Sequence, residues 1–218
     1  KNFFIFIFVV LFYSTVTASY ILIPMDSDSQ EEHLKAYGLT YWTLQKKLKV
    51  KWLLNYRGGS FLLPDTEEIK KECQVRGISF ELLSNSKTEE ILKLIESPSQ
   101  NMESVILEKA PRIAVYSPKG NQPWDDAVTM VLTYAEIPYT IIYDEEVLGD
   151  KLVLFDWLHL HHEDFSGQYG KFYRAYRAAP WYIRNKKEAE LMASNLGYNK
   201  VSDLKLDVSL KIRDYVVG

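Results

Sequence analysis

The chain is short of cysteine. Cys73 is the single cysteine among its 218 residues, so no disulfide can form within the chain. It stands four positions after Ile69 in a stretch with helical periodicity, which places both side chains on one face of a helix. No histidine or acidic residue stands at a spacing that would activate the thiol. We therefore expect a small buried apolar residue at this position and not a reactive cysteine.

Several nucleotide and hydrolase motifs are also missing. The sequence contains no G-x-S-x-G elbow, no P-loop and no G-x-G-x-x-G fingerprint. His162 and Glu163 begin the metalloprotease pattern H-E-x-x-H, but Ser166 stands where its second histidine belongs. The net charge is only −3 and no long basic run is present. This balance argues against nucleic acid or an anionic membrane surface as the partner, and it leaves a small molecule as the expected ligand.

The first 19 residues are typical of a secretory signal peptide. Lys1 and Asn2 precede the apolar run Phe3–Tyr13, and small or polar residues follow to Ser19. A positive start, an apolar core of this length and a small-residue ending form the usual cleavage signal, here after Ala18 or Ser19. The alternative is an uncleaved anchor, although the run is short for a membrane span. We expect a periplasmic or secreted protein that contacts the membrane only during export.

The remaining sequence predicts an α/β fold in two parts. Short apolar strands alternate with amphipathic helices, a pattern typical of a parallel sheet with helices on both faces. A break rich in serine, proline and asparagine predicts a linker over residues 98–111, between one unit at 20–97 and another at 112–218. The units form two flavodoxin-like halves or one continuous sheet. Parallel strands would bring their carboxyl ends, where ligands bind in such folds, to one edge.

The last segment fits two structures. From Leu204 to Ile212 apolar and polar residues alternate as in a strand, but residues 204, 208, 212, 215 and 216 also share one face of a helix. The charged pair at 213 and 214 breaks the alternation and leaves the helical spacing intact. We therefore predict a helix over residues 207–217.

The main candidate site begins where a predicted strand, Leu152–Phe155, ends. Three of the four histidines of the chain lie within the next seven residues, beside acidic residues. If the backbone stays extended, His159, His161 and Glu163 point to one side and are candidates for proton transfer. The ligand-contacting candidates beside them are Asp156 and His162. A zinc-type site and a plain structural role remain alternatives, but a metal-free site with no cofactor is favoured.

A second candidate site is the turn that contains Tyr56, Arg57, Gly58 and Gly59. Paired glycines let a backbone approach a ligand closely, and a guanidinium can hold a carboxylate. The alternative is a tight hairpin turn between two apolar strands, and we favour this interpretation.

Four runs of the sequence resemble a known family: WLLNYRGGSFLLPD, RIAVYSPKGNQPWDDAV, LFDWLHLHHEDFSGQYGKFYR and LKIRDYVVG. They are similar to secreted bacterial proteins catalogued as "asparagine synthetase B", which resemble the flavodoxin-type fold of class I glutamine amidotransferases. In that family the helix matching Leu206–Val217 leads to a strand and a nucleophilic cysteine. The resemblance implies a fragment truncated before the nucleophile strand, with the cysteine beyond residue 218 and little activity of its own.

True ATP-dependent asparagine synthesis is not expected. Synthetases of that kind resemble proteins with a cysteine at the mature start, where this chain has Tyr20. They also need a phosphate loop of the S-G-G-x-D-S kind, but Gly58-Gly59-Ser60 is followed by apolar residues. Two functions remain. The first is an exported amidotransferase-like hydrolase in which His159 or His161 supplies or orients the base. The second is an exported ligand-binding domain without catalysis that uses the same edge.

We predict that residues 1 to about 19 are removed on export, because the charge, apolar run and small-residue ending form a cleavage signal. Intact-mass measurement of the protein recovered from the periplasm of an expressing bacterium should give a chain that starts at Ser19 or Tyr20. A mass that still includes Phe3–Tyr13 would contradict the prediction.

Overall fold

The computed structural model describes residues 20–118, 126–160 and 174–218. Within these ranges the chain divides into two compact units, with the boundary between Glu108 and Lys109. Both contain helices and strands, so the prediction of a mixed α/β protein is confirmed. None of the helices in the described ranges combines the length and the apolar content needed to cross a membrane.

The first unit contains three helices and five strands. In chain order they are β1 (Tyr20–Ile23), α1 (His33–Gln45), β2 (Val50–Leu54), β3 (Ser60–Pro64), α2 (Glu67–Arg76), β4 (Glu81–Leu83), α3 (Asn85–Ile95) and β5 (Glu103–Leu107). The strands form one sheet in the order β4-β1-β3-β2-β5. Because β5 is an edge strand of this sheet, paired with β2, part of the predicted linker at 98–111 is regular structure.

The sheet of the first unit is antiparallel, so the prediction of a parallel sheet is wrong here. Each pair of neighbouring strands runs in opposite directions. The turn 55–59 joins β2 to β3, and a connection this short returns the chain antiparallel. Parallel neighbours need a crossover of a dozen residues or more. Alternation of strands with helices therefore did not determine strand direction in this unit.

Helices cover both faces of this sheet because its strands are apolar on both sides. One face shares a buried cluster with α3, made of Leu22, Leu53, Leu62, Leu83, Ile91 and Ile95. Phe61 neighbours Leu62 in β3 and therefore points to the other face. There its ring lies edge-on to the ring of Tyr37 of α1, with the centroids 5.4 Å apart.

Helix α2 shows how local sequence sets the helix ends. The Thr66 side chain accepts a hydrogen bond from the Ile69 backbone N–H at 3.1 Å, and Gly77 ends the helix at φ +70°. The face of α2 that carries Ile69 and Cys73 is buried, as the spacing predicted. Burial raises the pKa of the Cys73 thiol to about 12, which keeps it protonated and unreactive at neutral pH.

The second unit contains three strands and four α-helices within the described ranges. In order they are β6 (Ile113–Tyr116), α4 (Ala127–Tyr134), β7 (Thr140–Ile142), α5 (Asp144–Leu148), a 3-10 helix (Lys151–Leu154), β8 (Trp157–Leu160), a second 3-10 helix (Arg174–Tyr176), α6 (Pro180–Asn195) and α7 (Val201–Val217). The strands form a sheet in the order β7-β6-β8. Both pairs are parallel, so the parallel arrangement predicted from the sequence holds in this unit.

The strand predicted at Leu152–Phe155 is wrong. Residues 151–154 form a 3-10 helix, with Leu152 buried and Val153 75% exposed. The chain joins the sheet only after this helix, where the backbone N–H groups of Asp156 and Trp157 donate to the Arg112 carbonyl. A four-residue apolar run does not separate a strand from one turn of helix by periodicity alone. As a result, His159 lies inside β8 and not in a loop beyond a strand.

The ambiguous C-terminal segment is helical and longer than predicted. Helix α7 starts at Val201, six residues before the predicted start. Its buried residues include Leu204, Val208 and Ile212, at helical spacing, while Leu206 is 58% exposed. Leu204 and Val208 pack with Tyr116 of β6 on one face of the parallel sheet. Packing against the sheet therefore selected the helical pattern over the alternating one.

The turn between β2 and β3 depends on glycine at residue 58. Arg57, Gly58 and Gly59 all have positive φ, at 45°, 77° and 91°. A Cβ atom on Gly58 would lie 2.3 Å from the Met25 carbonyl oxygen, whereas one on Gly59 would lie 3.4 Å from its nearest neighbour, Nε1 of Trp52. Both positions favour glycine for its backbone freedom, and Gly58 also needs the space.

We predict that Gly58→Ala destabilises the protein more than Gly59→Ala. Gly59→Ala carries only the strain of positive φ, about 1–2 kcal/mol. Gly58→Ala adds a collision of the new Cβ atom with the Met25 carbonyl. The backbone must move to relieve this collision. Chemical denaturation of the two variants and the wild-type protein measures the difference. Equal losses of unfolding free energy would show that the turn tolerates the added atom.

Candidate functional site

The carboxyl ends of β6, β7 and β8 lie at one edge of the parallel sheet, because the three strands point the same way. We call it the strand-end edge. β6 ends at Tyr116, β7 leads into Asp144 at the start of α5, and β8 ends at Leu160. The Ser117 backbone N–H donates to the Ile142 carbonyl at 3.1 Å, which joins two of the strand ends. In open α/β sheets ligands bind at this kind of edge.

His159 and Asp126 form a close polar pair near this edge. His159 lies in β8 opposite Val115 of β6, and its Nε2 is 2.6 Å from Oδ2 of Asp126. Asp126 is the N-cap of α4, where its Oδ1 accepts a hydrogen bond from the Val128 backbone N–H at 3.1 Å. The imidazole and carboxylate side chains are 21% and 14% exposed, so the pair is sheltered but still reaches solvent.

The pair lies on the face of the sheet that points away from α7. Leu158 packs into the buried cluster that contains Tyr116 and α7 residues. Side chains alternate between the faces of a strand, so His159 and its register partner Val115 point to the opposite face. A base held by a carboxylate at a strand-end edge is an arrangement that can accept a proton from a bound molecule.

A second polar cluster lies at the same edge on the α7 face. Lys205 of α7 is buried, and its Nζ lies 2.8 Å from the Tyr116 hydroxyl, 3.1 Å from the Tyr143 hydroxyl and 2.9 Å from Oδ1 of Asp144. Tyr116 also donates a short hydrogen bond to Asp144. We call these four residues the lysine cluster. Its ammonium has three N–H groups and three oxygen partners, so the charge is fully satisfied.

Neither grouping was found from the sequence, although each left a signal. Lys205 interrupts the apolar face of α7 beside Leu204, and a lysine on a buried helical face needs a partner. In the sequence, Asp126 stands just before α4, where a carboxylate complements the positive end of the helix dipole. Its contact with His159 joins residues 33 positions apart, which spacing along the chain does not reveal.

Of the predicted catalytic and ligand-binding residues near the histidines, the structure places two. His159 lies at the strand-end edge. Asp156 lies at the opposite end of β8, where Nζ of Lys109 and the side chain and backbone N–H of Arg112 donate to it. Hydrogen bonds from Arg112 first, and then from Lys109, hold the pKa of Asp156 well below its usual range. His161, His162 and Glu163 lie outside the described residues.

The predicted site at Tyr56–Gly59 is a turn of the first unit, as in the hairpin interpretation. The Arg57 side chain is occupied by the protein itself: its Nε donates to Asp26 at 3.0 Å, Nη1 to Glu81 at 2.7 Å and Nη2 to Ser29 at 3.0 Å. The hydrogen bond with Glu81, and that with Asp26, raise the pKa of Arg57. These contacts tie the turn to the loop after β1 and to β4.

The second unit also contains a cavity away from the strand-end edge. A cavity of about 380 Å³ lies between the first 3-10 helix and α7, with Leu152, Val153 and Tyr215 in its lining. Tyr215 donates to the carbonyl of Phe155, just before β8, so the cavity lies toward the amino ends of the strands. Across the described parts of the chain, no group of three or more His, Cys, Asp or Glu residues is placed to hold a metal ion.

Comparisons with models of protein families, with curated proteins and with solved structures found no match.

We predict that Lys205→Met lowers the free energy of unfolding by about 3–5 kcal/mol, because it leaves the Asp144 carboxylate buried without its cation. Lys211→Met is the matched control on the same helix. Its ammonium pairs with Asp150 on the surface, where the lysine side chain is 43% exposed and the aspartate 71%. An exposed pair of this kind contributes about 0–1 kcal/mol.

Urea unfolding of the two variants beside the wild-type protein measures both losses. Similar small losses in the two variants would show that the lysine cluster is not an important source of stability.

Proposed function

We propose that the second unit is the amidotransferase-like hydrolase domain of an exported protein and that its substrate binds at the strand-end edge. The observation that carries the proposal is the pair of His159 and Asp126. A base within hydrogen-bond reach of an orienting carboxylate is the arrangement that activates nucleophiles in acyl transfer. The resemblance to the family catalogued as asparagine synthetase B supplies the reaction class.

The order β7-β6-β8 supports this location. In chain order these strands are the second, first and third of the unit, as in the first part of the flavodoxin-like order 2-1-3-4-5. In that order ligands bind where the strand order reverses, between the first and third strands. Here those strands are β6 and β8. Asp126 follows β6 and His159 lies on β8, so the pair flanks the reversal point.

The proposed reaction is hydrolysis of a small carboxamide, with glutamine as the substrate that the resemblance implies. A thiol nucleophile attacks the amide carbon as His159 takes the thiol proton, and ammonia leaves with that proton. Water then hydrolyses the thioester, which releases the carboxylic acid and restores the thiol. Cys73 does not fit the role of nucleophile because it is buried in the first unit and its pKa is raised to about 12. The resemblance places the nucleophilic cysteine after residue 218.

The alternative is an exported domain that binds a small molecule at the same edge without turning it over. The lysine cluster is compatible with both functions because its charge is satisfied internally. The two functions differ in one requirement. A hydrolase needs the His159 imidazole for proton transfer. A binding domain needs only the shape and the hydrogen bonds of that side chain.

We predict that the full-length protein releases ammonia from glutamine and that His159→Asn lowers kcat by roughly 10²–10⁴-fold, the usual contribution of a general base. His33→Asn is the matched control: this histidine of α1 contacts the Met25 carbonyl in the first unit, and its loss should leave kcat unchanged. Melting temperatures establish that both variants are folded.

Three other outcomes would contradict the proposed hydrolase or the role of His159. Glutamine binding by calorimetry without ammonia release would support the binding domain and reject the hydrolase. Full turnover by a folded His159→Asn protein would remove this histidine from the mechanism. Absence of both binding and turnover would reject glutamine as the ligand and the amidotransferase interpretation with it.

A further inference from the structure

We propose that Asp126 is a positioning residue that holds the proton of His159 on Nε2 and so leaves the lone pair of Nδ1 as the reactive base. The consequence for catalysis rests on the proposed function, whereas the assignment of the proton rests only on geometry. The two can therefore be tested separately.

The first argument is the direction of the hydrogen bond. Nε2 of His159 lies 2.6 Å from Oδ2 of Asp126. An ionised carboxylate only accepts hydrogen bonds, so the ring nitrogen facing it has to carry the proton. The position of Asp126 favours the ionised form, because it lies at the positive end of α4 and its Oδ1 accepts the Val128 N–H at 3.1 Å.

The second argument is that the carboxylate cannot easily turn away. One of its oxygens caps α4 and the other meets the imidazole, so rotation of the side chain would break both contacts. The backbone beside it is also held, since the Thr129 hydroxyl donates to the Asp126 carbonyl at 2.9 Å and the Met130 N–H donates to it at 3.1 Å. The first turn of α4 thus fixes the position of the Asp126 carboxylate.

The orientation of the His159 imidazole is also fixed. His159 is part of β8, paired in parallel with β6, so its backbone is held by the sheet. With Nε2 held by Asp126, the imidazole is constrained at both ends and Nδ1 keeps one orientation. Within residues 20–118, 126–160 and 174–218, Asp126 is the hydrogen-bond partner assigned to this ring. Among the described residues, the geometry therefore leaves Nδ1 to a substrate or a nucleophile.

Two substitutions separate this role from helix capping. Asp126→Asn keeps an oxygen for the cap and presents an N–H₂ group to the imidazole, which should move the ring proton to Nδ1. Asp126→Ser keeps a good capping residue but is too short to hold the imidazole, so neither tautomer is enforced. Both variants are expected to keep α4, because serine and asparagine cap helices about as well as aspartate.

The test is the tautomer of His159, read from long-range ¹H–¹⁵N correlations of the full chain labelled in histidine. His159→Gln identifies the signal among the four histidines. We expect the proton on Nε2 in the wild-type protein, on Nδ1 in Asp126→Asn, and an exchanging mixture in Asp126→Ser. A wild-type proton on Nδ1, or an unchanged tautomer in Asp126→Asn, would overturn the proposal.

Glutamine turnover then tests the consequence. Asp126→Asn should lower kcat by roughly 10²-fold or more with little change in KM, because the nitrogen that accepts the proton is already protonated. Asp126→Ser should lose less, because part of its population keeps Nδ1 free. If the tautomers behave as expected and no variant, wild type included, hydrolyses glutamine, the positioning role of Asp126 stands and the proposed hydrolase falls. If turnover is unaffected by the change of tautomer, Nδ1 is not the base.

Discussion

Lys205 carries a positive charge into the interior of the second unit, and the arrangement around it constrains much of that unit. An unpaired buried ammonium would be strongly unfavourable, so its oxygen partners have to be in place when the chain folds. They come from the end of β6 and the start of α5, while the lysine comes from α7. The cluster therefore defines how α7 lies on the sheet and where two of the strand ends lie. Buried ion pairs add little net stability compared with well-packed apolar residues, but removing one partner alone is costly.

The same edge of the sheet carries a different polar group on its other face, the pair of His159 and Asp126. Lys205 and Asp144 of the lysine cluster are closed to solvent, whereas the pair of His159 and Asp126 is partly exposed. The ionic cluster on one face joins the strand ends to α7, and the pair on the other face is accessible to a ligand. This division is consistent with a scaffold that holds a proton-transfer group in a defined orientation, because a base contributes to catalysis only when its geometry is maintained.

Sequence patterns predicted the local structure best where one periodicity dominated. The helical spacing of Ile69 and Cys73 predicted both α2 and the burial of Cys73. The polar turn at residues 55–60 predicted a hairpin, and Arg57 indeed lies in one, bonded to Asp26 and Glu81. The sequence pattern did not predict the structure of the short apolar run before β8, because such a run fits both a strand and one turn of helix. Residues 151–154 form a 3-10 helix, and β8 begins only where its backbone pairs with β6.

The sequence by itself determined the mixed α/β class and the helices that carry Cys73 and residues 207–217, because these depend on side-chain periodicity and composition over short distances. Tertiary structure decided the direction of the strands and the partners of the buried polar groups. The first unit is antiparallel although its strands and helices alternate, and Asp126 and Lys205 find partners 33 and 61 to 89 residues away. Such contacts arise from the path of the chain in space. Hydrogen bonds and ion pairs between residues far apart in the sequence depend on the distance between their atoms. A local sequence pattern does not encode that distance.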